Sequence, residues 1–247
     1  MKTMICVILD RSGSMDGRQE DVIGGVNTFL TEQKKLKQPA SIAFVRFDTE
    51  AIERFREMKP LGEVDWLTHD EYLPRGGTPL LDAVGQTLAQ LDLDWAKENP
   101  ERAIVVIVTD GQENSSKEYT TAKIKEMIKA RQDSGKWAFI YLGADVDAFA
   151  EAQKYGIPMQ NAAGYVKSAA GIRGMSASMS ASVGNMRVTG QSVADLGGNI
   201  QEDGSLKKDG AWDVKAVNVQ IVPTTTGSAG TVPKIWSTPQ TRDAQKS

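Results

Sequence analysis

Residues 103–109 read Ala-Ile-Val-Val-Ile-Val-Thr, and the run stops at Asp110-Gly111. A strand with one wet face alternates apolar and polar residues; an unbroken β-branched run of this length fits a strand covered on both faces. A second continuous apolar run, Met4–Leu9, stops in the same way at Asp10. Strands of this kind belong to parallel sheets, and a parallel sheet obliges the chain to supply helices for both of its faces.

The intervening segments supply them. Val22, Val26, Phe29, Gln33 and Leu36, widened by Ile23 and Leu30, follow helical spacing up to Pro39. Ser41–Phe47 is a further strand, and Ala51–Met58, with Glu53, Arg54 and Arg56, reads as a short edge strand. Lys59–Gly77, rich in Gly and Pro, is a loop with room for one helical turn. Leu81, Val84, Leu88 and Leu91 mark the next helix, for which Thr78 is the expected N-cap and Pro79 the first helical residue. After Asp110, Ser115 and Glu118 have the spacing of a capping box ahead of a helix carrying Ile124, Met127 and Ile128. Trp137–Leu142 is a strand, Asp145–Lys154 a helix closed by Gly156, and Ser168–Val183 a last helix. Strand and helix alternate from residue 4 to about 155, so the expected fold class is α/β, an open and mostly parallel twisted sheet with helices on both faces.

Beyond about Gly184 the composition shifts to Gly, Ser, Thr, Asn and Gln, and helical periodicity ends. The expected division is a domain over 1–185 and a polar C-terminal extension over 186–247, flexible or docked on a partner. A β segment near 213–222 is expected within it, because Val217, Val219 and Ile221 alternate with polar residues. The chain of 247 residues has a net charge of −3 and a single cysteine, Cys6. No internal disulfide can form, and no basic face recommends nucleic acid as a partner. No apolar stretch reaches membrane-spanning length, and the N-terminal segment lacks the pattern of a signal peptide, so no membrane is expected and the expected location is cytoplasmic.

Ligands of open α/β sheets bind beyond the carboxyl ends of the strands. Three segments fall there: Asp10-Arg11-Ser12-Gly13-Ser14, Gly76-Gly77-Thr78-Pro79 and Thr109-Asp110-Gly111. Together they offer the carboxylates of Asp10 and Asp110 and the hydroxyls of Ser12, Ser14 and Thr78. These hard oxygen ligands suit Mg²⁺, Mn²⁺ or Ca²⁺ rather than Zn²⁺. Taken singly, each segment is an ordinary turn, and Thr78 alone is an ordinary cap; it is their conjunction after these strands that points to a metal. An EF-hand is excluded, since Met15 stands at the sixth loop position, where glycine is needed, and a strand enters the loop. A haloacid-dehalogenase-like phosphatase would need an acid two residues after Asp10, where Ser12 stands. The sole histidine, His69, reads as a solvated loop residue, no nucleophile-elbow Gly-x-Ser-x-Gly occurs, and Ser12-Gly13-Ser14 lacks the lysine of a phosphate-binding loop. Lys34, Lys35 and Lys37 read as the wet end of a helix, and Asp16, Asp48 and Glu113 as acids near the metal edge that are not ligands.

An apolar strand followed by Asp-x-Ser-x-Ser, then a Gly-Gly-Thr loop, then an apolar strand followed by Thr-Asp-Gly resembles the metal-ion-dependent adhesion site of von Willebrand factor A (VWA) domains, in wording most like bacterial or phage members. The resemblance covers roughly residues 1–185. It implies that Ser12, Ser14 and Thr78 touch the metal directly, while Asp10 and Asp110 act through bound water or exchange into direct contact. It further implies a cation left under-neutralised, with an open position for an Asp or Glu of a partner protein and with Gly13, Gly76, Gly77 and Gly111 in the loops that the partner approaches. The expected function is therefore a cation-dependent protein-interaction module, an adaptor or assembly factor and not an enzyme. The alternatives are a structural component of a larger particle such as a phage virion, with oligomerisation through the C-terminal extension, and, last, a metal-dependent hydrolase.

Overall fold

The computed structural model describes residues 1–144, 147–201 and 203–208. The element order is β1 (Thr3–Asp10), α1 (Gln19–Lys34), β2 (Ala40–Phe47), β3 (Ile52–Pro60), α2 (Leu80–Glu98), β4 (Arg102–Thr109), α3 (Thr121–Asp133), β5 (Trp137–Ala144), α4 (Ala148–Lys154), β6 (Ala162–Tyr165), α5 (Ala169–Thr189), β7 (Gly198–Ile200) and β8 (Leu206–Lys208). The strands form one eight-stranded sheet in the order β3-β2-β1-β4-β5-β6-β7-β8. Pairing is parallel from β2 through β7, and both outermost strands, β3 and β8, are antiparallel to their neighbours. The expected α/β class is the one observed.

Every residue of β1 and of β4 is buried, as their unbroken apolar runs require. Alternate side chains serve opposite cores. Ile5, Val7, Leu9, Ile104, Val106 and Val108 pack under α1 and α5. Met4, Cys6, Ile8, Val105 and Ile107 pack under α2, α3 and α4. The register pairs Asp10 with Phe47 on β2, and Leu9 with Val108 on β4. Asp10 and Asp110 therefore emerge side by side at the carboxyl edge.

Several local expectations change. Helix α2 begins at Leu80 with Pro79 in the cap position, so Thr78 is not its cap. The free amides of its first turn are taken by the loop after β4: Leu81 N–H donates to Glu113 Oε2 at 3.0 Å and Asp82 N–H to Ser116 Oγ at 3.1 Å. Ser115 and Glu118 form no capping box. Helix α3 starts at Thr121, capped by Thr120, and the amides of Lys117, Glu118 and Tyr119 all donate to the buried carboxylate of Asp82. A capping box does form at Thr68 and Glu71, ahead of a single helical turn in the long loop between β3 and α2.

Residue 185, the expected end of the domain, lies inside α5, and β7 and β8 then extend the same sheet. Helix α5 carries small residues where it meets its neighbours. A Cβ on Gly25 of α1 would lie 2.2 Å from Ser176 Oγ, so the two helices approach too closely for a larger side chain. The β segment expected near 213–222 lies outside the described residues. Among the described residues, no helix is long and apolar enough to cross a membrane.

Candidate metal centre

The turn after β1 is fixed by its own backbone and by Arg11. Arg11 N–H donates to Phe47 O at 2.9 Å, and its carbonyl accepts Arg75 N–H at 2.9 Å. Its buried guanidinium binds Asp48 (Nε to Oδ2, 2.7 Å) and reaches Glu53 Oε2 at 3.2 Å. Arg75 joins the same Asp48 oxygen at 3.1 Å. Burial is the largest influence on the Asp48 carboxyl and pushes it up. The amides of Glu50 and Ala51 and the two guanidiniums together overcome this and hold it below the usual carboxylate range. Arg11 thus ties the loops after β1 and β2 and the loop before α2 into one body. Nothing in its spacing advertised this, because its partners are 37 and 42 residues away.

On that body the hydroxyls and carboxylates converge. Ser12 Oγ and Ser14 Oγ are 2.9 Å apart. Ser14 Oγ donates to Asp110 Oδ1 at 2.6 Å and Ser12 Oγ to the same oxygen at 3.5 Å. Asp10 Oδ1 accepts Ser12 N–H at 2.8 Å, and its Oδ2 accepts Thr109 Oγ1–H at 2.6 Å. Thr78 arrives from the third loop: a Cβ on Gly111 would lie 3.3 Å from Thr78 Oγ1 and 3.8 Å from Ser14 Oγ. Gly111 therefore marks the meeting point of these two hydroxyls, and a side chain there would crowd Thr78. Gly13 N–H donates to Gly76 O at 2.9 Å, and Gly76 has φ +64°, a left-handed conformation that favours glycine. Gly77 packs beside Asn114 and Ser115. Gly13, Gly76 and Ser14 are exposed, Gly77 and Gly111 half-buried, and Asp10, Ser12, Thr78 and Asp110 buried. The cluster opens to solvent on the Ser14 side.

The donor set fits a small hard cation. Mg²⁺ with oxygens at 2.0–2.1 Å in an octahedron sets neighbouring ligands about 2.9 Å apart. The Ser12–Ser14 separation of 2.9 Å matches that edge, and the 2.6 and 3.5 Å separations from Asp110 bracket it. Burial raises the Asp10 carboxyl to about 6. Hydrogen bonds from Thr109 and Ser12 resist this rise, and the charge on Asp110 adds to it. A buried carboxylate pair that lacks enough positive charge is the electrostatic condition a divalent cation relieves.

Neighbouring acids are engaged elsewhere. Glu113 accepts from Ser115 N, Ser116 N and Leu81 N, and exposed Asp16 accepts from Gln19 Nε2 at 3.0 Å. His69 pairs with Glu20 at 2.9 Å on the surface. Two further features escaped sequence reasoning. Tyr72, fully buried, donates to the Asp10 carbonyl at 2.5 Å. Lys167, in the turn after β6, places Nζ 3.0 Å from Asp110 Oδ2.

No family model matches the chain, and no curated protein matches it. Solved structures with a similar fold include a von Willebrand factor type A protein from Catenulispora acidiphila, with 18% identity and a TM-score of 0.49 over 73% of this chain and 42% of that one. Proximal thread matrix protein 1 from the mussel byssus has 14% identity and a TM-score of 0.49 over 72% of this chain and 45% of that one. The VWA domain of SpRpn10 has 14% identity and a TM-score of 0.48 over 72% of this chain and 94% of that one. The chain thus spans less than half the length of the first two.

Proposed function

We propose that the chain is a VWA-type protein-interaction module that works through a divalent cation, Mg²⁺ in the first place, held by Ser12, Ser14 and Thr78 with Asp10 and Asp110. The observation that carries this reading is the convergence of the Ser12 and Ser14 hydroxyls on Asp110 at 2.6–3.5 Å, with Thr78 alongside. Neutral hydroxyls do little to quench a cation's charge, so a cation held mainly by them keeps its attraction for an outside carboxylate. The exposed Ser14 side gives an Asp or Glu of a partner protein a way in, between loops in which Gly13 and Gly76 carry no side chain. The cation supplies a Lewis-acidic point of attachment; the protein supplies its orientation.

An enzymatic role has less support. The exposed hydroxyl of the cluster, Ser14 Oγ, donates to a carboxylate that an ammonium also pairs with, and the chain's one histidine is engaged on the surface with Glu20. The decisive experiment uses Mn²⁺ as the metal and acetate, then a glutamate-bearing peptide, as the carboxylate. Mn²⁺ bound to the protein should enhance water proton relaxation, and the carboxylate should reduce that enhancement by displacing water. Asp110→Ala should abolish both effects. Mn²⁺ binding that survives Asp110→Ala, or a bound ion indifferent to carboxylates, would overturn the reading.

A further inference from the structure

Lys167 lies between the end of β6 and the start of α5. The turn is held by hydrogen bonds: Val166 N–H donates to Ile200 O at 3.2 Å, Ser168 N–H to Val166 O at 2.8 Å, and Ser168 Oγ caps α5 by accepting Gly171 N–H at 3.1 Å. From this anchor the lysine side chain, three-quarters buried, lays its ammonium 3.0 Å from Asp110 Oδ2, and the Asp110 side chain is fully buried. Each oxygen of that carboxylate is engaged: Oδ1 by Ser14 and Ser12, Oδ2 by Lys167. Beside it, Tyr165 OH donates to Thr109 O at 3.3 Å and braces the same turn against β4.

We infer that Lys167 is an internal counter-cation of the site, which a divalent metal must outcompete for Asp110, and that it thereby lowers metal affinity and keeps the site filled only at high metal concentration. This rests on the metal-binding reading above. The ammonium and the metal are like charges sharing one carboxylate, so each weakens the other's hold, and the coupling is reciprocal. Without metal the same ammonium stabilises the fold, because it pairs a carboxylate that would otherwise be buried without a cation. A lysine that merely braced the loop would act differently: its loss would weaken the apo fold and the metal site together.

The test compares wild type, Lys167→Met and Lys167→Arg by Mn²⁺ titration and by thermal unfolding, in chelator and in saturating Mn²⁺. Lys167→Met should melt earlier in chelator and yet bind Mn²⁺ on the order of tenfold or more tightly, within the usual 5–150-fold range of site coupling, so that added metal raises its melting temperature more than it raises that of wild type. Lys167→Arg, which keeps the charge, should stay near wild type in affinity. If Lys167→Met folds only with Mn²⁺ present, the inference is supported, since the metal has then replaced the ammonium. Binding by wild type with equal or weaker binding by Lys167→Met would overturn the inference alone. No Mn²⁺ binding by wild type or by Lys167→Met would overturn the metal-site reading, and the inference with it.

Discussion

Asp10→Asn isolates the electrostatic cost of the site. Asp10 is 1% exposed, and its carboxyl is raised from 3.8 to about 6. An acid whose folded pKa is raised contributes stability that is complete below the unfolded value and lost as pH rises through the folded one. At pH 7 in chelator the ionised Asp10 therefore costs about 3 kcal/mol, from a rise of about two units at about 1.4 kcal/mol each. Asparagine keeps the shape and the acceptor for Ser12 N–H. The Thr109 hydroxyl can then donate to Gly111 O, already 3.1 Å away, and accept from the new amide. Asp10→Asn should thus raise the chelator melting temperature at pH 7 by roughly 6–12 °C, taking about 2–4 °C per kcal/mol for a chain of this size. It should also flatten the loss of stability that wild type shows between pH 4 and 6. In millimolar Mg²⁺ the order should narrow or reverse, because wild type gains stability by mass action and the variant does not. Thermal unfolding followed by circular dichroism measures all of this. A variant no more stable than wild type in chelator at pH 7 would refute the account of Asp10 as a charge buried at a cost.

Thr78→Ala should weaken Mn²⁺ binding measured by calorimetry while leaving the chelator melting temperature nearly unchanged, since Thr78 caps no helix; Thr78→Ser should retain most of the affinity. Asp82→Ala should cost roughly 3 kcal/mol in urea unfolding, because three backbone amides lose a charged acceptor inside the protein, and its loss should loosen the loop after β4 more than the sheet. Cys6 is 2% exposed, and burial pushes its thiol up to about 12 from 9.0. It should ignore a thiol reagent at pH 8 until urea unfolds the chain. Its contribution to stability is complete below pH 9 and lost as pH rises toward 12, so Cys6→Ala should lessen the alkaline loss of stability in a pH series of melts.

The central strands were legible because burial on both faces leaves no freedom in composition: Met4–Leu9 and Ala103–Thr109 can be little else. The convergence of Asp10, Ser12, Ser14, Thr78 and Asp110 followed from strand order and the rule that loops at carboxyl ends meet. What stayed hidden depends on partners distant in sequence. Thr78 looked like a cap because a threonine before a proline is locally suited to one, yet Glu113 and Ser116 perform that task from more than 30 residues away. Asp82 draws in the amides expected to start a helix at Ser115. Helix α5 runs past the expected boundary because its Ala, Ser and Gly residues serve close packing against α1, which leaves a weak apolar stripe. Strands β7 and β8 are three residues each, too short for any period to register. Lys167 is one lysine among many until the fold sets it against Asp110.

The two outermost strands also decide how another protein can reach this one. An extended peptide recognises many sheets by adding itself as one more strand, which needs a straight, uncharged and unobstructed margin. Strand β3 shifts register twice against β2 and carries Glu53, Arg54, Arg56, Glu57 and Lys59. Strand β8 offers only Leu206, Lys207 and Lys208. Neither margin of the described sheet invites such an addition. Under the proposed function, recognition would fall to the end where the loops gather, and a partner would meet this protein head-on, through side chains and one cation, rather than backbone to backbone.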